Sequence, residues 1–416
     1  MTRHVLITGG SGYIGEPLVA KALAKGWRVT VLSRQRPPKR PRLRWFPWSL
    51  TKVVPQEAWL DPVDVVLHVA HQWESTRPEH EDENLLGSHA LLMAARAAGV
   101  PRFVLASSVS AREGALNRYG RVKWAIGREM TGAGEIVARI GMVYGGPHRG
   151  QWKTLCALTA SFALLPMICA GTGVQPIHLD DLCEGLLRIC ALSTLDRRCY
   201  GLADPTPIAF ATWLRLLARH IHGKNLYIVP LPLQPAVMAM RVANALPLPV
   251  TVSEERVMGL AGLTTIDTAA DLAALELTLR RIEPALMAEG PSQRHRLLAE
   301  AHCLLHAVGS TAPPPSRLAA YVRGIERHSD GTALVLPSLA RRCPSLLRAF
   351  EPVGPSRRPG DLKARLHMAA TIADADGTAY AYEGDGLAAT LWRLFRTACV
   401  EATLMPFRLI LGRERP

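Results

Sequence analysis

The stretch Thr8-Gly9-Gly10-Ser11-Gly12-Tyr13-Ile14-Gly15 sits between a compact apolar run, His4-Val5-Leu6-Ile7, and a helical pattern, Glu16 to Lys25. A glycine repeat of this spacing takes its meaning from the strand before it and the helix after it, a context that makes it a dinucleotide site. Gly9 permits the tight turn, Gly12 lets a pyrophosphate approach the backbone, and Gly15 lets the helix pack close to the sheet. Thr8, Gly10, Ser11, Tyr13 and Ile14 complete the loop. The N-terminus of the helix offers its unbonded N–H groups to the phosphates.

Downstream, Gly26 to Leu32 predicts a second parallel strand, ending at Ser33-Arg34-Gln35-Arg36. A carboxylate at this position holds the ribose diol of NAD, whereas an arginine accommodates a 2′-phosphate. No acid is present, and Ser33 and Arg34 therefore favour NADP(H) over NAD(H), with a merely solvated Arg34 as the alternative. Trp45 to Trp48 reads as a short third strand, Val63 to Ala70 as a strand covered on both faces, Asn84 to Ala98 as a helix and Phe103 to Ser108 as the next strand. The alternation predicts an α/β fold, a Rossmann-type doubly wound parallel sheet whose ligand lies beyond the carboxyl ends of the strands.

The chain has 416 residues, so a core domain with an extension is expected. Its 49 Lys+Arg against 35 Asp+Glu give a net charge of +14, which suits a phosphorylated cofactor, an acidic substrate or an anionic membrane surface. No run interleaves aromatics with a basic stripe, so nucleic acid is not an expected partner. The 8 cysteines contain no C-x-x-C pair, which argues against a zinc site or a disulfide framework. No metal is expected. A strand from the first residues leaves no room for a signal peptide, and no apolar window is long enough to span a bilayer. The expected location is cytoplasmic, with membrane association open.

Tyr119-Gly120-Arg121-Val122-Lys123 puts a phenol and an ammonium four residues apart, one helical turn on the same face. A free tyrosine is a poor proton shuttle at neutral pH, but a nearby cation favours its phenolate. Ser108, at the end of the preceding strand, could bond the same substrate oxygen. Together these groups supply the single proton that accompanies a hydride transfer.

With these motifs in order, the chain resembles an extended short-chain dehydrogenase/reductase of the NAD-dependent epimerase/dehydratase family. The likeness covers about residues 3–290 and includes Val66-Leu67-His68-Val69-Ala70-His71, Asn84 to Gly87, Arg139 to Gly145 and Pro176 to Asp181. It implies Tyr119 as general acid/base, Lys123 as ribose anchor and pKa modulator, and Ser108 as orienter. It also implies that Val69 and Ala70 line the nicotinamide side. Dehydratases of the family carry an acid directly after the serine; Val109 stands here, which disfavours dehydration.

The domains expected are 1–290, a nucleotide-binding domain with a substrate lobe at about 145–180 and 205–290, and 291–416, a mostly helical extension. Apolar blocks at Leu164 to Cys169, Leu226 to Leu233, Val237 to Met240 and Ala245 to Pro249 resemble family members acting on lipophilic alcohols, or form an ordinary packed lobe. His71, Arg139 and His178 are substrate-side candidates. For His178 the competing reading is packing inside while Asp180 or Asp181 caps the next helix. For His71-Gln72-Trp73 it is a covered loop. In the tail, 351–360 reads as a linker and Leu387 to Leu411 as an amphipathic helix. That helix would meet the membrane surface, the main domain or a second subunit of a homodimer. Three functions follow: an NADP(H)-dependent oxidoreductase interconverting a secondary alcohol and a ketone on a lipophilic small molecule, a nucleotide-sugar epimerase with tightly held NAD(P), or a non-catalytic nucleotide-binding assembly subunit. An intact Ser108, Tyr119 and Lys123 argues against the last.

Overall fold

A computed structural model describes residues 2–73, 79–194, 197–231, 262, 264–291, 293–308, 313–328 and 362–374, with single positions at 333, 334, 336, 340, 344 and 347. Two compact units emerge, Met1–Ala218 with Leu226–Glu289, and Arg219–Asn225 with Gly290–Pro416.

In the first unit, β1 (His4–Thr8), α1 (Gly15–Ala24), β2 (Arg28–Ser33), β3 (Leu43–Pro47), β4 (Val65–His68), α2 (Glu83–Ala97), β5 (Phe103–Ser108), α3 (Arg118–Arg128) and β6 (Glu135–Ile140) follow one another as strand and helix layers. They are followed by β7 (Met142–Tyr144), α4 (Gly150–Ser161), β8 (Leu164–Ile168), β9 (Gly173–Val174), β10 (Pro176–His178), α5 (Leu179–Ala191) and β11 (Cys199–Leu202). The main sheet is seven-stranded, in the order β11-β6-β5-β4-β1-β2-β3, and every pairing is parallel.

Side-chain alternation along the strands builds two separate cores. Val5 and Ile7 of β1, Val29 and Val31 of β2 and Leu67 of β4 pack toward α1 and α5, with Leu18, Leu182 and Leu186. Leu6, Leu32, Val66 and Leu105 point the other way, with Leu91 and Leu92 of α2 and Val122 and Ile126 of α3. Period-two alternation on strands buried on both faces gives this three-layer arrangement. Each fully buried Leu contributes about 1.5–3 kcal/mol. The strand order turns back between β1 and β4, which opens a crevice at their carboxyl ends.

Three smaller pairings lie beyond the main sheet: β10 with β7, β12 (Ile208–Ala209) with β9, and β13 (Tyr227–Leu231) with β8. Leu164–Ile168 and Tyr227–Leu231, from two of the apolar blocks, are thus partners, in register from Leu164 opposite Tyr227 to Ile168 opposite Leu231. Leu165 and Met167 are buried beneath, while Leu164, Tyr227 and Val229 face outward. The apolar stretches at 237–240 and 245–249 lie outside the described residues.

The second unit contains helices Gln293–Val308, Pro315–His328 and Leu362–Asp374. His367 to Ile372 belong to the last of these helices. Buried Glu300 organises this unit. Its carboxylate accepts from the Tyr321 hydroxyl at 2.7 Å and the Leu334 N–H at 2.7 Å, and Arg365 Nη1 lies 3.4 Å away. A buried carboxylate needs such partners to offset its lost hydration. Residues 351–360 and 387–411 lie outside the described residues. Among the described residues no helix is long and apolar enough to cross a membrane.

Candidate active site

The glycine turn leaves β1 and folds back under itself. Gly12 N–H bonds the Gly9 carbonyl at 2.9 Å, and Glu16 N–H bonds that of Gly12 at 3.0 Å. Gly9 holds φ +68, and a side chain there would meet Ala70 Cα at 2.8 Å. On Gly15 a side chain would run into the Gly9 carbonyl, so both positions require glycine. Tyr13 points away from the turn and donates its hydroxyl to the Gly145 carbonyl at 2.7 Å. Burial, reinforced by the Glu289 carboxylate, pushes its phenol well above the ordinary range.

Thr8 and His68, on the adjacent strands β1 and β4, brace the base of the site. Thr8 Oγ1 lies 2.6 Å from His68 Nδ1 and accepts from the Ala70 N–H at 3.2 Å; His68 Nε2 lies 2.8 Å from Ser88 Oγ. Burial, then the charge of Lys123, holds the His68 imidazole down to about 3. A neutral ring with one donor and one acceptor nitrogen fits this chain, Thr8 donating to Nδ1 and Nε2–H to Ser88.

A cleft of about 290 Å³ opens over this floor. The turn residues Gly9, Ser11, Gly12, Tyr13, Ile14 and Gly15 line one end, and Ser33 and Arg34 close that end at β2. Val69, Ala70, His71, Gln72 and Trp73 line it from the loop after β4, and Ser107, Ser108, Tyr119 and Lys123 from the end of β5 and α3. Thr8 and Gly10 lie behind the lining rather than in it. Ser33 is buried and its hydroxyl donates to the Gln35 carbonyl at 2.7 Å while accepting from Trp45 Nε1 at 3.1 Å, so it shapes the loop. Arg34 is exposed on the rim, without a hydrogen-bond or ion-pair partner among the described residues. Arg36 lies over the Trp45 ring at 5.5 Å instead.

Asn117 caps α3 by accepting from the Gly120 N–H at 3.1 Å, and this sets the first turn of the helix that carries Tyr119 and Lys123. Lys123 is buried, and Nζ donates to the Ala106 carbonyl at 2.9 Å. Burial lowers its ammonium to about 8. Burial pushes the Tyr119 phenol up to about 12, against a lowering effect of the nearby Ser108 hydroxyl. Ser108 Oγ also lies 2.9 Å from Ser110 Oγ.

Trp73 and a polar relay behind it carry no motif of their own in the sequence. The Trp73 ring stacks on Tyr119, centroids 5.2 Å apart at 20°, and His71 meets the same phenol edge-on at 5.0 Å. Between them the Gln72 backbone is clamped by Asn84, which accepts from its N–H at 2.7 Å and donates to its carbonyl at 3.0 Å. Asn84 Nδ2 also donates to Asp82 Oδ1 at 2.8 Å, and Asp82 Oδ2 pairs with Arg118 Nη2 at 2.6 Å. The loop after β4 is thereby tied to the residue preceding Tyr119. The available signal was two aromatic rings spaced i, i+2 directly after β4, which share one side of an extended chain.

Two other substrate-side candidates are not brought to this cleft. Arg139 on β6 donates to the Ala111 carbonyl and supports the loop after Ser108. His178 caps α5 itself: Nδ1 accepts from the Asp180 N–H at 3.1 Å and Nε2 lies 3.0 Å from Glu289 Oε1. Asp181 is spent on Arg280, accepting from its backbone N–H at 3.0 Å and its Nε at 2.9 Å.

The donor set fits a nicotinamide dinucleotide. Ser107 Oγ is buried without a partner, and Lys123 Nζ uses one of its donors among the described residues.

A dinucleotide-binding sheet with a serine, a tyrosine and a lysine over its crevice defines a class of nucleotide-dependent enzymes. The NAD dependent epimerase/dehydratase family model matches residues 5–120. The ceramide reductase of Caulobacter vibrioides is 31% identical over 241 residues, 55% of this chain and 73% of that protein. A 3 beta-hydroxysteroid dehydrogenase/Delta 5→4-isomerase of Mycobacterium tuberculosis is 33% identical over 128 residues, 28% of this chain and 35% of that one. Among solved structures, UDP-glucose 4-epimerase of Thermotoga maritima with UDP-glucose superposes with a TM-score of 0.52 at 18% identity, covering 69% of this chain and 97% of that one. The chain belongs to the NAD-dependent epimerase/dehydratase family. It is an NAD(P)-dependent enzyme, an oxidoreductase or epimerase.

Proposed function

We propose that the protein is an NADP(H)-dependent oxidoreductase that interconverts a secondary alcohol and a ketone on a lipophilic substrate. The observation that carries this reading is the convergence of Ser108, Tyr119 and Lys123 on the same cleft as the glycine turn. Bound cofactor supplies or takes up the hydride. Tyr119, a phenol at neutral pH, gives its proton to the carbonyl oxygen in reduction and recovers it in oxidation. Ser108, which lines the same cleft as Tyr119, orients that oxygen. The Lys123 cation favours the phenolate that remains. Exposed Arg34 on the rim, where no carboxylate stands, supports NADP(H). Relatives named for a ceramide and a steroid support the lipophilic side.

Steady-state reduction of a panel of ketones with NADPH tests the reading. Tyr119→Phe removes the proton donor and keeps the ring, so turnover is expected to fall by about 10²–10⁴ with cofactor binding retained. Unchanged turnover would show that another group moves the proton.

A further inference from the structure

His71 and Trp73 meet Tyr119 from two directions, one edge-on and one stacked, and also touch each other with centroids 4.7 Å apart at 84°. His71 lines the cleft, yet its Nδ1 is buried without a partner, and the ring makes no hydrogen bond among the described residues. Its immediate neighbour Gln72 is fixed by Asn84, so the ring stands on anchored backbone. The Ala70 N–H is held by Thr8, and the Gln72 N–H and carbonyl by Asn84. Nδ1 is closed off, so the unbonded Nε2 is the ring nitrogen that a ligand atom in the cleft can reach.

We propose that His71 is a specificity-determining residue: it hydrogen-bonds a second polar group of the substrate, one or two carbons from the carbon bearing the oxygen that Tyr119 serves, while Trp73 covers the apolar remainder. The assignment rests on the acid/base role of Tyr119. The substrate class is then a lipophilic ketone or alcohol with a neighbouring hydroxyl or amide. The two rings are 5.0 Å apart between centroids, so groups bonded to both belong to adjacent parts of one short carbon frame. Burial, then the Lys123 charge, holds the His71 imidazole down to about 3, and the ring is neutral at working pH. It offers one donor and one acceptor and no charge, which suits a neutral hydroxyl or amide better than a carboxylate. Trp73 is 71% exposed, leaving its outer face open to an alkyl chain.

The test is calorimetric titration of the full chain, with NADP⁺ present, using hexane-1,2-diol and hexan-2-ol as probes. Wild type is expected to bind the diol about tenfold or more tightly, because a site built to hydrogen-bond a hydroxyl rejects the analogue lacking it. H71F keeps the ring and removes its nitrogens, and the preference is expected to fall to within about twofold. H71N retains a donor and an acceptor and recovers part of it, which a purely structural role would not produce. W73A weakens both ligands alike and leaves the preference intact. Equal binding of the two probes by wild type, binding of neither, or a preference that survives H71F overturns the proposal. The parent reading is checked separately by NADPH-dependent reduction of 1-hydroxyhexan-2-one and hexan-2-one. A binding preference without turnover keeps the His71 site and removes the oxidoreductase reading; turnover of both ketones without preference does the reverse.

Discussion

Asn84 grips the backbone of Gln72 at both ends, accepting from its N–H at 2.7 Å and donating to its carbonyl at 3.0 Å. Through Asp82 and Arg118 the same side chain is linked to the start of the helix carrying Tyr119. Asn84→Ala removes the clamp and leaves the Gln72 groups to find other partners. A stability loss of about 1–3 kcal/mol in urea is expected. Because small misplacements near the chemistry are costly, kcat/KM should fall by about tenfold or more. A variant that unfolds normally and turns over normally would show the clamp to be idle.

Arg34 makes its prediction through selectivity. Charge-assisted bonds to a phosphate are worth about 1.5–3 kcal/mol, so Arg34→Ala should raise the KM for NADPH by about tenfold or more and change that for NADH little. The NADPH preference should also weaken as salt is added, since the residue is exposed. Equal effects on both cofactors would remove Arg34 from the 2′-phosphate.

The fold was legible because its local signals agree with its global demands. Val5 to Ile7 and Val65 to Leu67 are continuous apolar runs because both faces of these strands are buried, and the glycine turn has one workable context. Tyr119 and Lys123 stood out through helical spacing read together with the glycine turn and the strand ending in Ser107-Ser108. What stayed hidden depends on pairings distant in the chain. The Asn84 clamp joins residues 12 apart and the Arg118–Asp82 bond residues 36 apart, neither of which leaves a periodic trace. His178 illustrates a competition between equivalent chemistries: Asp180 and Asp181 are good caps by type, but the histidine precedes them at the cap position and Arg280 claims Asp181. The partnership of Leu164–Ile168 with Tyr227–Leu231 likewise spans too much chain to be read from apolar content.

Lys123 should reveal a conflict between stability and function. Its ammonium is lowered from 10.5 to about 8 by burial, so the fold holds a charge it disfavours. Stability from this group is fully present above 10.5 and lost as pH falls through about 8. Lys123→Met removes that cost, on the order of 2–3 kcal/mol, less about 1 kcal/mol for the lost bond to Ala106. At pH 7 the variant should therefore melt higher than wild type while losing activity, and the gap should close as pH rises from 8 to 10.5. A variant less stable at every pH would mean that the Ala106 bond outweighs the burial of the charge.

His68 predicts the acid limb of stability. The folded imidazole is held at about 3 against 6.5 for the free group, so between these values the unfolded chain binds a proton the fold does not. Stability is unaffected by this group above 6.5 and falls steadily as pH drops toward 3. His68→Gln keeps a donor and an acceptor between Thr8 and Ser88 but cannot take up the proton. It should lose about 1–2 kcal/mol at pH 7 through imperfect replacement of two buried hydrogen bonds. Its stability should then decline less steeply on acidification than that of wild type, so that the two curves converge. Urea unfolding at several pH values measures both slopes. Parallel curves would show that His68 is protonated in the fold and that Thr8 and Ser88 accommodate an imidazolium.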